Sequence, residues 1–504
     1  MYRDGGAYTR LSYEEMGKRA AAFAYMLRQR GVSPGDRVMI LAENRPEWPI
    51  AYFGTALAGA VSVPVLTDFS SAQIGYIASH ADISALCFTA RTIPKTGEIS
   101  PSVPAIRIDL EAVGTVLGSL SVEVEEDDPS SIIYTSGTTG SSKGVMLSHK
   151  NLVFTASASR SLMKIYSRDR LLSVIPLAHT YECSLGMLTA VMSGASITYL
   201  DKPPSPAVLL PAMQDLRPTA MVTVPLFIEK ICRQRIFPKM QKSPLYKFPL
   251  TRPLVRFLAG QKLLSSLGSA IRFFGIGGAP LAADVERFLR KAGFPYSPGF
   301  GLTETAPLVA GTAPYKFPPQ SSGQVLKGTE LRIADNGEIQ VRGPNVMLGY
   351  YRDEEKTREV FTEDGWFKTG DLGRMDKKGF LYIYGRLKAL ILGPSGENIY
   401  PEEIESILST STLVEDALVV PGDRGELVAL IVLSEKAQTM LAALGDSLEE
   451  LKNTVNKKLA AFSRLSRIEI QKEPFEKTPT QKIKRFLYCS AAQNKIPGNS
   501  LPGI

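Results

Sequence analysis

The chain has 504 residues, long enough for more than one domain and a large buried core. With 44% hydrophobic and 21% charged residues it has an ordinary globular composition; four scattered cysteines without a CxxC pair argue against a disulfide framework or zinc site and fit a reducing cytoplasm, and three histidines exclude a histidine-rich metal site. The net charge of +8 is concentrated: residues 229–262 carry nine Lys/Arg against Glu229 alone, while the remainder balances 49 basic with 49 acidic residues.

Residues 1–20 are charged and polar, with no apolar signal region, and no run reaches the roughly 18 apolar residues that span a bilayer. Residues 51–66 come nearest, but Gly54, Gly59 and Pro64 mark them as buried core. Ser12 followed by Glu15 predicts a capping box, and apolar residues recur at helical spacing through Leu27. Strands are expected at 38–41, 61–66 and 85–89, with a helix from Trp48 to about Ala60. This alternation predicts a wound α/β layer. The acidic run 123–128 reads as a solvated approach to the segment that follows.

That segment, residues 134–149, reads YTSGTTGSSKGVMLSH. A short β-prone run precedes it, and Ser148, a candidate N-cap, opens an amphipathic stretch. Between lie Thr135, Ser136, Gly137, Thr138, Thr139, Gly140, Lys143 and Gly144. Glycine is costly to order, so such a loop needs a return. It offers backbone N–H groups, hydroxyl donors and one cation, the chemistry that holds polyphosphate. It is not a P-loop, because Lys143 is followed by glycine rather than Ser/Thr.

Further along, residues 173–182 end a strand and start a helix, carrying Pro176-Leu177-Ala178-His179. Strands are expected at 221–224 and 271–274. Residues 229–262 interleave their cations with large apolar side chains, which fits either a membrane interface or a solvated basic loop packed on its own apolar residues; no binding motif points to nucleic acid. After the second strand, Gly275-Ile276-Gly277-Gly278-Ala279-Pro280 lets a flat ring lie on bare backbone. Phe300, between Gly299 and Gly301, can present its face to a base. Thr303 offers a hydroxyl for phosphate, and Glu304 a hard oxygen for Mg²⁺. Short strands and tight turns over 323–386 predict a small β-subdomain containing Asp371 and Arg386. After Lys388 a compact α/β pattern restarts: a helix opened by Pro401 with acids in its first turn, then strands at 417–420 and 427–433. Residues 477–485 are basic, and 493–504 read as disordered.

Residues 135–144 match the pattern Thr-Ser-Gly-Thr-Thr-Gly-x-x-Lys-Gly at every fixed position. In this the chain resembles the adenylate-forming superfamily of acyl-CoA synthetases, luciferases and nonribosomal adenylation domains. Further segments resembling family signatures follow in family order: Gly-Gly-Ala-Pro, Phe-Gly-Leu-Thr-Glu, Thr-Gly-Asp at 369–371, Gly-Arg-Leu-Lys at 385–388, and the lysine of Thr-Pro-Thr-Gln-Lys at 478–482. Phe300 stands where tyrosine is usual, which keeps stacking and loses a phenol. Gln481 stands where glycine usually precedes the lysine.

The resemblance implies an α/β fold. A large N-terminal domain of wound α/β subdomains plus the small β-subdomain would span 1–387, and a small mobile α+β C-terminal lid 388–504. It implies that 135–143 holds ATP phosphates, Gly277–Pro280 and Phe300–Gly301 the adenine, Asp371 the ribose hydroxyls and Arg386 the nucleotide. His179 would border the carboxylate pocket. Thr303, Glu304 with Mg²⁺ and Lys482 would serve the α-phosphate, and Lys388 would be the hinge. The Pro-Leu-Ala-His form, the Gly349-Tyr350-Tyr351 turn and the Thr-Pro-Thr-x-Lys ending most resemble long-chain fatty acyl-CoA synthetases, implying fatty acid, ATP and coenzyme A as substrates; the basic apolar segment 229–262, in its membrane-interface reading, would fit a cytoplasmic enzyme that draws fatty acid from a membrane. An acyl carrier protein in place of coenzyme A, and a non-catalytic lipid- or nucleotide-binding relative, are the alternatives.

Overall fold

The computed structural model describes all residues except 1, 5–6, 111–121, 137–141, 201, 203–204, 393–396, 423–425, 439–443, 478–482 and 490–504, so the expected disorder of 493–504 lies outside the described residues. Strands Arg37–Leu41, Val61–Pro64 and Ala85–Phe88 are short and almost wholly buried. Continuous apolar runs between helices are what a parallel sheet covered on both faces requires, and these strands pair in parallel. Pro129–Ser136 and Ser142–Ser148 add an antiparallel hairpin. The complete sheet has seven strands in the order Gly349–Tyr350, Ser142–Ser148, Pro129–Ser136, Val61–Pro64, Arg37–Leu41, Ala85–Phe88, Ala105–Arg107.

The first helix, Tyr13–Gln29, starts where its cap predicts, but only half of the expected box forms. Ser12 Oγ accepts the Glu15 amide, whereas the Glu15 carboxylate binds Arg19 one turn on at 2.7 Å. A guanidinium is a stronger partner for a carboxylate than a neutral backbone N–H. Ser148 does close a full box, with Asn151, at the head of the helix His149–Met163.

A second, nine-stranded sheet has a parallel centre: Tyr296–Phe300, Phe273–Ile276, Ala220–Thr223, Arg170–Leu172 and Ser196–Leu200. The strand expected at 271–274 is displaced two residues onward. Ile271 and Arg272 stay at its mouth, where Asp169 and the Met163 and Lys164 carbonyls hold the Arg272 guanidinium. Gly275 therefore lies within the strand, and the loop begins at Gly277.

Glu330–Ile333, Glu338–Arg342, Phe367–Met375 and Leu381–Arg386 form a four-stranded antiparallel sheet. The chain between its second and third strands leaves it. Gly349–Tyr350 pairs instead with the hairpin of the seven-stranded sheet, Tyr350 opposite Val145, before the short helix Glu354–Val360.

The C-terminal residues build a separate three-stranded sheet, Val414–Pro421, Leu427–Leu433 and Leu465–Ile470, with helices Pro401–Leu408 and Leu444–Asn456 and a core of their own. Glu405 ties this unit together through Arg485 and the Val419 amide. It meets the preceding sheet where the Tyr384 and Tyr400 rings lie 5.4 Å apart. No described helix is long and apolar enough to cross a membrane.

Candidate functional site

In open parallel sheets ligands bind beyond the C-terminal ends of the strands. Phe273–Ile276 and Tyr296–Phe300 are adjacent and parallel, with Ile276 opposite Pro298. Their C-terminal ends deliver the loops expected at the site, Gly277–Pro280 and Phe300–Glu304. Gly278 has a φ of +85°, a left-handed conformation that suits glycine. With Ala279 and Pro280 it is exposed. Gly277 is buried, because the Tyr181 ring covers it: a Cβ there would lie 3.1 Å from Tyr181 Cζ, and one at Gly275 3.3 Å from the Tyr181 hydroxyl oxygen. Two of the three bare backbone positions are thus covered by the protein's own aromatic ring.

Gly301 is required by close approach, since an added Cβ would fall 1.7 Å from the Pro307 carbonyl oxygen. The tight turn it permits leads into the single helical turn Thr303–Thr305, which carries Glu304. The Met347 amide donates to the Glu304 carbonyl at 2.9 Å, and the Tyr350 hydroxyl donates to Glu304 Oε1 at 3.0 Å. Burial and the nearby carboxylate push the Tyr350 phenol well above its ordinary range. Lys143 Nζ lies 4.8 Å from the centre of the Tyr350 ring. Lys143 is fixed from the other side by the ladder, in which it sits opposite Thr135. The hydroxyl-rich hairpin and the later glutamate, far apart in sequence, therefore meet on one tyrosine.

Asp371 and Arg386 occupy facing positions on adjacent strands, and Arg386 Nε reaches Asp371 Oδ1 at 2.8 Å. The aspartate side chain is 7% exposed and the arginine 47%, so the buried carboxylate is held in place by a cation at the surface. Arg386 also lies close enough to contribute favourably to ionisation of Tyr350. Lys388 is exposed in the next turn, Leu387–Ala389.

His179 is half-buried, and its Nδ1 accepts the Tyr181 amide at 3.1 Å. Its carbonyl receives the Glu182 and Cys183 amides, starting the π-helix Tyr181–Leu188. Asn44 fixes the strand side of this segment, taking the Leu177 amide on Oδ1 and donating to the Ile175 carbonyl and Ser173 hydroxyl. Through Tyr181 the histidine loop abuts the glycine loop.

Lys143 and Glu304 thus meet at Tyr350, with Arg386 nearby; Thr135 stands opposite Lys143, Asp371 pairs with Arg386, and Phe300, Gly301 and Thr303 lie on the turn that carries Glu304. Ser136 ends the first hairpin strand opposite Ser142. Gly137, Thr138, Thr139, Gly140 and Lys482 lie outside the described residues; Lys477 and Ile483, which flank the last of these, form an antiparallel bridge. Among the described residues no three His, Cys, Asp or Glu side chains form a metal-binding cluster.

Two residues carry no sequence signal of their surroundings. Tyr350 stands in a Gly-Tyr-Tyr turn, which gives no sign of its contacts. Glu182 is 2% exposed, and burial pushes its carboxyl up to about 8, against the lowering effects of Ser173 and the Ile175 backbone. An acid between Tyr181 and Cys183 reads as the first turn of a surface helix.

Comparison with known proteins gives an independent view. The family described as AMP-binding enzyme matches residues 1–351, and the AMP-binding enzyme C-terminal domain matches residues 389–497. The chain is 32% identical to a long-chain-fatty-acid–CoA ligase, FadD15, of Mycobacterium bovis over 95% of its own length and 90% of the relative's. It is 28% identical to 4-coumarate–CoA ligase 2 of Nicotiana tabacum over 94% and 88%. Among solved structures, ATP-bound MatB from Rhodopseudomonas palustris superposes with a TM-score of 0.80 at 26% identity, covering 96% of this chain and 94% of that one.

Proposed function

The chain belongs to the AMP-binding enzymes and is an adenylate-forming acyl-CoA ligase, and from that premise we propose that its acid is a long-chain fatty acid. The similarity to FadD15 supports this acid, and the similarity to a 4-coumarate ligase names the competitor that an assay must include. A carboxylate resists nucleophiles because it is charged and because oxide is a poor leaving group. Its oxygen therefore attacks the α-phosphorus of ATP, the bond to pyrophosphate breaks, and an acyl-adenylate results. The thiol of coenzyme A, as its thiolate, then attacks the carbonyl carbon and displaces AMP.

In this reading Lys143 and the hydroxyls of 135–139 hold the phosphates, with Thr303 adding a donor. Phe300 and Gly301 face the base beside Gly277–Pro280, Asp371 takes the ribose hydroxyls, and Arg386 both anchors Asp371 and contacts the nucleotide. His179 borders the carboxylate. Lys482 offsets charge at the α-phosphate during the first step and withdraws for the second, with Lys388 as the pivot between 1–387 and 388–504. Glu304 would hold Mg²⁺. Its Oε1 is oriented by Tyr350, and one carboxylate suits an ion that keeps phosphate oxygens and waters as its other ligands. When bound, the ion neutralises phosphate charge.

The observation that carries this assignment is the contact of Lys143 and Glu304 with the same Tyr350 side chain. The test is pyrophosphate and AMP release over acids from acetate to stearate, with 4-coumarate included, in the presence and absence of coenzyme A. Palmitate or decanoate should give coenzyme A-dependent AMP release. Equal turnover of acetate with none of fatty acids, or a preference for 4-coumarate, overturns the choice of acid, and turnover only with a holo-carrier protein overturns the choice of acceptor.

A further inference from the structure

Residues 229–262 fold into a chain of short helices that ends in the longer helix Arg252–Ser266. The inner face of that helix is what its place in the fold requires. Val255 and Leu263 are buried, and Ala259 and Leu264 pack beside them, in the same core that holds Phe274 and Ile276 of the strand feeding Gly277–Pro280. The opposite face is also apolar. Leu254, Phe257 and Leu258 recur at i, i+3 and i+4, and each is 50–55% exposed. Just before the helix, Leu250 is 95% exposed, Phe248 63% and Leu245 51%. Six large apolar side chains thus face water within fourteen residues.

Of the large apolar residues in this segment, Ile236, Phe237, Tyr246 and Val255 pack into the core, while these six stay at least half exposed. Contiguous exposure of this kind marks an interaction surface. Its charge says which kind. Of the nine Lys/Arg in this segment, only Arg233 pairs with a carboxylate among the described residues, Asp284 at 3.2 Å. Lys230, Arg235, Lys239, Lys242, Lys247, Arg252 and Lys262 are exposed. Arg252 and Arg256 lie over the Tyr246 ring at 5.8 and 5.6 Å, and Arg252 also bonds the Tyr246 carbonyl, which fixes the corner between the two last helices.

We propose that this face docks on a bilayer containing anionic phospholipid, with residues 245–258 entering the headgroup layer and the surrounding cations on lipid phosphates. An apolar stripe in a cationic rim fits that occupant on both counts: apolar area drives partition, and each surface cation adds about fivefold in affinity near anionic lipid. A second copy of the chain brings the same positive charge and is disfavoured. The docking rests on the fatty-acyl reading for its use, since a water-insoluble acid is concentrated in the bilayer, and stands on the surface alone for its existence.

The test is co-sedimentation of the full chain with vesicles of phosphatidylcholine alone and of phosphatidylcholine mixed with phosphatidylglycerol. Binding should favour the anionic vesicles and weaken as salt shortens the screening length from about 10 Å at 0.1 M to about 3 Å at 1 M. Lys247→Ala and Lys262→Ala together should lower affinity about 25-fold. The triple variant Leu250→Ser/Leu254→Ser/Phe257→Ser should lose more than about tenfold, while Ile470→Ser, an exposed site in the C-terminal unit, should bind as wild type. Equal binding to neutral vesicles, wild-type binding by the triple variant, or a dimer of the wild type that the triple variant dissolves would each overturn docking. AMP release with octanoate, assayed without vesicles, should be unchanged in every variant. Failure of docking with intact palmitate activation removes only this inference; docking with no fatty acid activated removes only the choice of substrate.

Discussion

Glu182 offers a prediction whose size follows from its surroundings. The side chain is 2% exposed, with its carboxyl raised from an ordinary 4.5 to about 8 by burial. Oε2 has no hydrogen-bond partner among the described residues, and neither do the neighbouring Thr180 and Ser184 hydroxyls. The carboxyl lies against Gly186, where a Cβ would be 2.6 Å from Oε1, so only an isosteric replacement fits. Because the folded pKa exceeds the unfolded one, the native state binds more protons between pH 4.5 and 8, and stability falls as pH rises through that window. The deficit is about 1 kcal/mol at pH 5, about 3 at pH 7 and about 5 at pH 9. Glu182→Gln has the same shape and no such titration. Urea unfolding of both proteins at pH 5 and 9 should therefore show the wild type losing about 4 kcal/mol more than the variant over that interval. Other titrating groups cancel in the difference. Parallel stability curves would refute the assignment of a buried, neutral carboxyl.

Tyr350→Phe keeps the ring beside Lys143 and removes the bond to Glu304, so kcat for pyrophosphate release should fall about 10-fold, and Tyr350→Leu, which loses both contacts, should fall further; identical rates in the two variants would separate Lys143 from this tyrosine. Gly301→Ala sets a methyl 1.7 Å from a backbone oxygen that cannot rotate away, and should destabilise by about 3 kcal/mol or more, read as a lowered thermal midpoint. Lys482→Ala should abolish pyrophosphate release while sparing thioester formation from supplied acyl-adenylate, and loss of both steps would count against a lid that serves the two steps in different positions.

Elements specified by nearby residues were legible in the sequence. Buried strands such as Arg37–Leu41 are continuous apolar runs, and Ser148 caps its helix through a residue three positions away. Sequence and structure diverge where a distant group decides the outcome. Arg19 diverted the Glu15 side chain from its cap, and Asp169 held Arg272 at the mouth of a strand expected two residues earlier. The glycine cluster was legible as bare backbone, but not as backbone already covered by Tyr181, because no periodicity links positions 181 and 277.

Tyr350 shows the same limit at the site itself. It reaches Glu304 because a two-residue strand, Gly349–Tyr350, leaves the four-stranded sheet and pairs with the hairpin that holds Lys143. Two residues are too few to show a strand period, so nothing local announces that pairing. The helix Arg252–Ser266 is the opposite case: its apolar and basic residues are plain in the sequence, but not which face the core takes, so membrane contact and self-packing stay equally open there. What separates the two is which face the core already occupies. With Val255 and Leu263 buried in the core that holds Phe274, the stripe of Leu254, Phe257 and Leu258 is left half-exposed on the other face, beside cations unpaired with any carboxylate among the described residues, and that arrangement is what the proposed docking on an anionic bilayer rests on.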